Sequence, residues 1–170
     1  MATMVYCADE IIVRAIDIEM KAREFYRKAA TLTGDERLRI VFRILAGMEK
    51  GHARIFRETR EQLTESDRMV EVNDPGGEMV FYLDRFMEMH APEANPGMQF
   101  QAGDEESIEE LLRTAINTEN DTVSFYQLLS DYVPADRGRE RVLEVMKEEQ
   151  THAARLQSVL KRIETVQPVS

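Results

Sequence analysis

Cysteine is nearly missing from this chain: one in 170 residues, Cys7. A single cysteine excludes an intramolecular disulfide and any Cys-x-x-Cys metal knuckle. Cys7 reads as a spectator thiol near a terminus, which suits a reducing compartment. No apolar run approaches the roughly 20 residues of a membrane span. The opening stretch MATMVYCADEIIVRA lacks a basic start followed by an apolar core. No signal peptide is visible, and a cytoplasmic location is expected. Positive charge is short as well: 22 Lys and Arg stand against 32 Asp and Glu, a net charge of −10. A nucleic-acid surface needs a basic face, and an anionic membrane repels an acidic one. Neither partner is expected.

Glycine and proline are few and concentrated. Pro75-Gly76-Gly77, Pro92, Pro96-Gly97 and Gly103 all fall in the middle of the chain. On either side, apolar residues recur at helical spacing. Four long helices are predicted, over about 9–32, 35–63, 105–132 and 136–166. Asp9 and Asp35 are candidate N-caps, Gly34 is a stop, and Val133-Pro134 breaks the second half. Short connections join helices 1–2 and 3–4, so each pair is an antiparallel hairpin. A crossover over about 64–104 joins the hairpins, and EMVFYLDRFMEMH within it could form a short fifth helix. The chain is therefore expected to be one all-α domain, 1–170, a four-helix bundle with one long crossover.

The two hairpins are repeats. With the chain shifted by 100 residues, 9–63 and 109–163 share eleven identities in 55 positions. Among them are four polar pairs: Glu19 and Glu119, Tyr26 and Tyr126, Glu49 and Glu149, His52 and His152. Each lies on an apolar stripe. Ile12, Ile16, Glu19, Tyr26 and Ala30 recur at steps of three, four or seven, as do Val142, Val145, Glu149, His152 and Leu156. Four Glu and two His thus aim at one bundle interior.

Four carboxylates in an apolar core need compensation, because one unpaired buried charge already costs several kcal/mol. No Lys or Arg lies on these stripes near the Glu positions. Two divalent cations would neutralise four carboxylates, with neutral His52 and His152 completing the coordination. The set matches, residue type for residue type, that of ferritin-like di-iron and di-manganese bundles: a Glu from each of two helices and Glu-x-x-His from each of the others. One Glu-x-x-His alone is weak; two at a fixed offset with two matched Glu point to a metal site. Tyr26 and Tyr126 read as phenols hydrogen-bonded to ligating carboxylates. Glu148 reads as a solvated neighbour of Glu149, with an outer hydrogen-bonding group the alternative, and His90, in the crossover, as a surface or lid residue.

The motifs EMKAREFY (19–26), EKGH (49–52), ENDTVSFY (119–126) and EQTH (149–152) make the chain resemble the rubrerythrin branch of the ferritin-like superfamily. The resemblance covers both hairpins. It implies a centre of two iron ions, with manganese the alternative. Glu19 and His52 would be terminal ligands of one ion, Glu119 and His152 of the other, and Glu49 and Glu149 would bridge. The implied chemistry is reduction of hydrogen peroxide or dioxygen; relatives oxidise iron. A bundle with a structural metal site, serving as an interaction module, is the remaining alternative. Full-length rubrerythrins carry a four-cysteine rubredoxin domain. This chain has one cysteine, so electrons are expected from an external donor. Peroxidase members carry a further Glu one turn after the helix 3 ligand; here Thr122 stands there.

A homodimer is expected from helix 2. Ile40, Ile44, Gly47, Gly51 and Ile55 form a second stripe on the side away from Glu49. A lone bundle would keep that face polar. The resemblance, to a family that commonly dimerises, favours a second subunit over the crossover helix as its cover.

Overall fold

The computed structural model describes residues 7–69 and 105–166. Four long helices dominate: α1 (Ala8–Leu32), α2 (Glu36–Gln62), α3 (Glu105–Tyr132) and α4 (Arg139–Val166). The predicted fifth helix and His90 lie outside the described residues. No helix among the described residues is long and apolar enough to cross a membrane.

The helix starts follow from local chemistry. Asp35 caps α2, its carboxylate accepting from the backbone N–H of Arg37 at 2.7 Å and Leu38 at 3.3 Å. Asp9 does not cap α1. Cys7 occupies that position, and its backbone N–H donates to Glu10 Oε2 at 2.9 Å. Asp9 sits inside the first turn, where it accepts from Arg60 Nε at 2.8 Å and Nη2 at 2.7 Å and ties α1 to the end of α2. Helix α4 begins at Arg139 rather than 136, because Ala135–Arg137 winds as a 3-10 turn. Gly138 then takes φ +115°, a left-handed conformation that glycine alone adopts cheaply. Beyond α2, Thr64 opens one further helical turn, Glu65–Arg68.

Helix α1 packs along α2 and α3 along α4; α1 meets α3 and α2 meets α4 across the bundle. The core divides into two apolar clusters. One contains Ile11, Ile12, Phe56, Phe125, Leu129 and Val142; the other contains Leu38, Phe42, Leu45, Leu112, Ala115 and Leu156. On every helix the residues of one cluster precede the central Glu and those of the other follow it. The bundle is thus a polar waist between two dry layers. Phe42, Phe56 and Phe125 are fully buried, and each contributes about 1.5–3 kcal/mol of burial free energy. This architecture is the all-α four-helix bundle expected from the periodicity.

On the outer face of α2, Ile40 and Ile44 are 49% and 51% exposed. Nothing among the described residues comes within 4 Å of a Cβ placed on Gly47 or Gly51. Ile55 departs from this stripe: it is partly buried and packs against the core.

Candidate metal centre

The six acids and imidazoles singled out by the repeat meet at the waist. Glu19, Glu49, His52, Glu119, Glu149 and His152 are each 0–3% exposed. Each sits mid-helix, where the backbone is fully hydrogen-bonded and the side chain alone must be satisfied. Glu19, Glu49, His52 and Glu149 each offer a donor atom, and these four atoms lie within 4.8 Å of one another; so do those of Glu49, Glu119, Glu149 and His152. Glu49 and Glu149 belong to both groups.

Both imidazoles turn Nδ1 inward. His52 Nδ1 lies 2.7 Å from Glu149 Oε1, 3.2 Å from Glu49 Oε2 and 3.6 Å from Glu19 Oε2. His152 Nδ1 lies 2.8 Å from Glu149 Oε2, 3.3 Å from Glu49 Oε1 and 3.8 Å from Glu119 Oε1. The rings stack with centroids 5.6 Å apart. Proximity does not make these groups satisfied. Among the described residues, Glu49 Oε1, both oxygens of Glu149 and both nitrogens of His152 are buried without a hydrogen-bond partner. The carboxylate oxygens of Glu49 and Glu149 and the Nδ1 atoms of both imidazoles crowd one interior. A carboxylate–imidazole donor set with orphaned inward oxygens fits a pair of divalent cations, four negative charges against four positive.

The electrostatics show what the cluster must otherwise do. Burial first, then the charges of Glu149 and Glu49, push Glu19 and Glu119 well above the usual carboxylate range. Burial opposes charge on His152, but contacts with Glu149 and Glu49 outweigh it and raise its pKa to about 9. His52 is raised too, against its burial, by Glu149, Glu19 and Glu49. Burial likewise acts to raise Glu149, but His152 and His52 override it and hold it at about 2. With no cation in place, protons supply the missing positive charge.

The tyrosines are paired across the repeat. Tyr26 on α1 donates its O–H to Glu119 on α3, and Tyr126 on α3 donates to Glu19 on α1. Both phenols are buried. Burial, then the neighbouring carboxylates, keeps their pKa well above 10, so they remain donors. The stripes place a Tyr two turns after each Glu on its own helix; the exchange of partners between helices comes from the packing. Thr122 is buried, and its hydroxyl donates to the backbone O of Thr118 at 2.9 Å.

Glu148 follows the second of its two sequence readings, that of an outer hydrogen-bonding group. Its side chain is half exposed, yet its Oε2 lies 2.9 Å from Nε2 of His52. A solvated α4 carboxylate therefore reaches across to the back of an α2 imidazole. The available signal was the doubled acid Glu148-Glu149, which the first repeat lacks.

The family model described as Rubrerythrin matches residues 10–95, a stretch that includes Glu19, Tyr26, Glu49 and His52. The chain is also similar in structure to a candidate ferritin-like diiron-carboxylate protein from Thermotoga maritima. The TM-score is 0.72 at 18% identity, over 94% of this chain and 98% of that one. At that identity the likeness speaks for the fold. No curated protein matches the chain at a significant level.

Proposed function

Because the chain belongs to the rubrerythrin family, we propose that its waist holds two iron ions and reduces hydrogen peroxide or dioxygen with electrons from an external donor protein. The observation that carries this reading is the pair of four-residue donor groups sharing Glu49 and Glu149. Glu19 and His52 would hold one ion and Glu119 and His152 the other, with Glu49 and Glu149 available to both. When bound, the two irons supply one electron each to the oxidant. The chain's own residues position and insulate. Tyr26 and Tyr126 hold Glu119 and Glu19 by O–H donation across the hairpins. The apolar layers above and below exclude water. With one cysteine, the chain lacks the four-thiolate set of a rubredoxin domain, so the reductant is separate.

A second reading takes ferrous iron as the substrate, oxidised and passed on. Thr122 favours it, since this position carries a seventh donor, a Glu, in the peroxidases the chain resembles. Steady-state peroxide consumption with an added reductant, set against ferrous oxidation under air, separates the two. Metal analysis of protein from its native host, with the optical spectrum of the oxidised form, tests iron against manganese. Activity with no bound metal would end both readings.

The half-exposed Ile40 and Ile44 beside Gly47 and Gly51 support a homodimer through α2. Sedimentation at micromolar concentration tests it: a monomer would leave that face to another cover, and Gly47→Leu should split a dimer while sparing the waist.

A further inference from the structure

The two imidazoles are alike on their inner edges and unlike on their outer ones. His52 Nε2 has Glu148 Oε2 at 2.9 Å. Among the described residues, His152 Nε2 is buried without a hydrogen-bond partner. The repeat explains the difference: the residue 100 positions before Glu148 is Met48, which has no carboxylate to offer.

We propose that Glu148 is a positioning residue for His52, and that it makes the two cation positions unequal, the one served by His52 binding more tightly. The proposal rests on the reading of the waist as a two-ion centre. A neutral imidazole has one N–H and one lone pair. A carboxylate at Nε2 keeps the N–H there and leaves the lone pair on Nδ1, which faces Glu19, Glu49 and Glu149. It also fixes the ring plane, because the ring is gripped at both ends. Glu148 is 52% exposed, so solvent screens its charge, and orientation carries most of the effect. His152 has no such help. To present Nδ1 to a cation it must bury an N–H at Nε2 that nothing among the described residues accepts.

The test is a calorimetric titration of the metal-free protein with cobalt(II), a redox-inert probe. The wild type should take up two ions in two resolved steps. Glu148→Ala should weaken one step about ten- to hundredfold, the range that outer partners of metal-bound histidines command, and leave the other unchanged. Glu148→Gln, whose amide oxygen still accepts from Nε2–H, should recover part of the loss. Met48→Glu should tighten the weaker step. A spectroscopic readout isolates positioning from mere folding. In the zinc-loaded protein, the Nε2 proton of His52 should resonate downfield of that of His152, and Glu148→Ala should erase the difference. Two ions bound with unchanged affinities in Glu148→Ala would overturn the proposal and leave the metal centre standing. A wild type that takes up no cobalt would remove the centre itself, and the proposal with it.

Discussion

The α1–α2 hairpin and the α3–α4 hairpin keep Glu, Tyr, Glu and His at a constant offset of 100 residues, yet they differ almost everywhere else. The outer face of the first is apolar where the second is charged. Val13, Ile40 and Ile44 are 41–51% exposed, and their counterparts are Arg113, Glu140 and Glu144. The junctions differ too. Thr33 to Asp35 joins α1 to α2, whereas Val133 to Gly138 joins α3 to α4. The longer junction costs no register, because the 3-10 turn and Gly138 stand where α2 has its first turn. The polar side chains that meet at the waist are all held alike in both halves. Each Glu and His there has a mate across the centre, and each Tyr is spent on the other hairpin's Glu, so neither half satisfies itself.

The strongest way to break the likeness of the halves is to remove what they share. Glu49→Ala with Glu149→Ala should take bound metal from two ions to none, since both donor groups contain both residues. One-sided changes should behave differently. His52→Ala or His152→Ala should each leave one ion. Elemental analysis after loading counts them; two ions retained by the double variant would undo the ligand assignment.

Metal should also hold the halves together. An ion that binds only the native state adds about 2.7 kcal/mol at a hundredfold excess over Kd. Two ions double that, so at about 2–4 °C per kcal/mol for a chain of this size anaerobic ferrous loading should raise Tm by about 10–20 °C. Calorimetry with and without metal checks it, and an unchanged Tm would count against a buried centre.

The metal-free protein should show the proton's substitute role in its pH dependence. His152 is raised from 6.5 to about 9 in the fold, so the stability that its proton supplies is full below about pH 6.5 and lost as pH rises towards 9. His52, Glu19 and Glu119 are raised as well and act with the same sign. Glu149 has the opposite sign, but its window lies in acid, between its usual range and about 2. Tm of the metal-free protein should therefore fall between pH 6.5 and 9. That of the loaded protein should stay nearly flat there, because cations replace the protons. Parallel falls in both would mean that the imidazoles never meet the metal.

The bundle and its six polar residues were legible because burial leaves a period in the chain. An acid on an apolar stripe conflicts with its surroundings, and the same conflict twice at one offset is hard to produce by chance. What escaped was whatever depends on reach or pairing between helices. The stripes put Tyr26 and Glu19 on one helix, but only packing sends the phenol to Glu119. Glu148 lies about 100° round the helix from Glu149, so periodicity assigned it to solvent; its flexible stem nevertheless brings the carboxylate to His52. Asp9 looked like a cap because composition favours Asp there, and Arg60, fifty-one residues away, took its carboxylate instead. The late start of α4 depended on a left-handed residue, which Gly138 permits but does not announce.

That residue gives the finest test of the difference between the junctions. Gly34 and Gly138 both precede a helix of the waist. Their surroundings are unlike. A Cβ on Gly34 meets nothing within 4 Å among the described residues. A Cβ on Gly138 would lie 3.1 Å from Thr59 Cγ2 and Oγ1, on a residue held at φ +115°. Gly34→Ala should therefore change stability by less than about 0.5 kcal/mol. Gly138→Ala should cost about 1–2 kcal/mol for the left-handed backbone, and more for the crowding of Thr59. The two causes separate in a double variant. Thr59→Ala removes the atoms in the way, so Gly138→Ala introduced into that background should lose only the backbone cost. Denaturant unfolding of the four proteins measures each step. Equal effects at Gly34 and Gly138 would mean that α4 begins as α2 does and that the two junctions are not different after all.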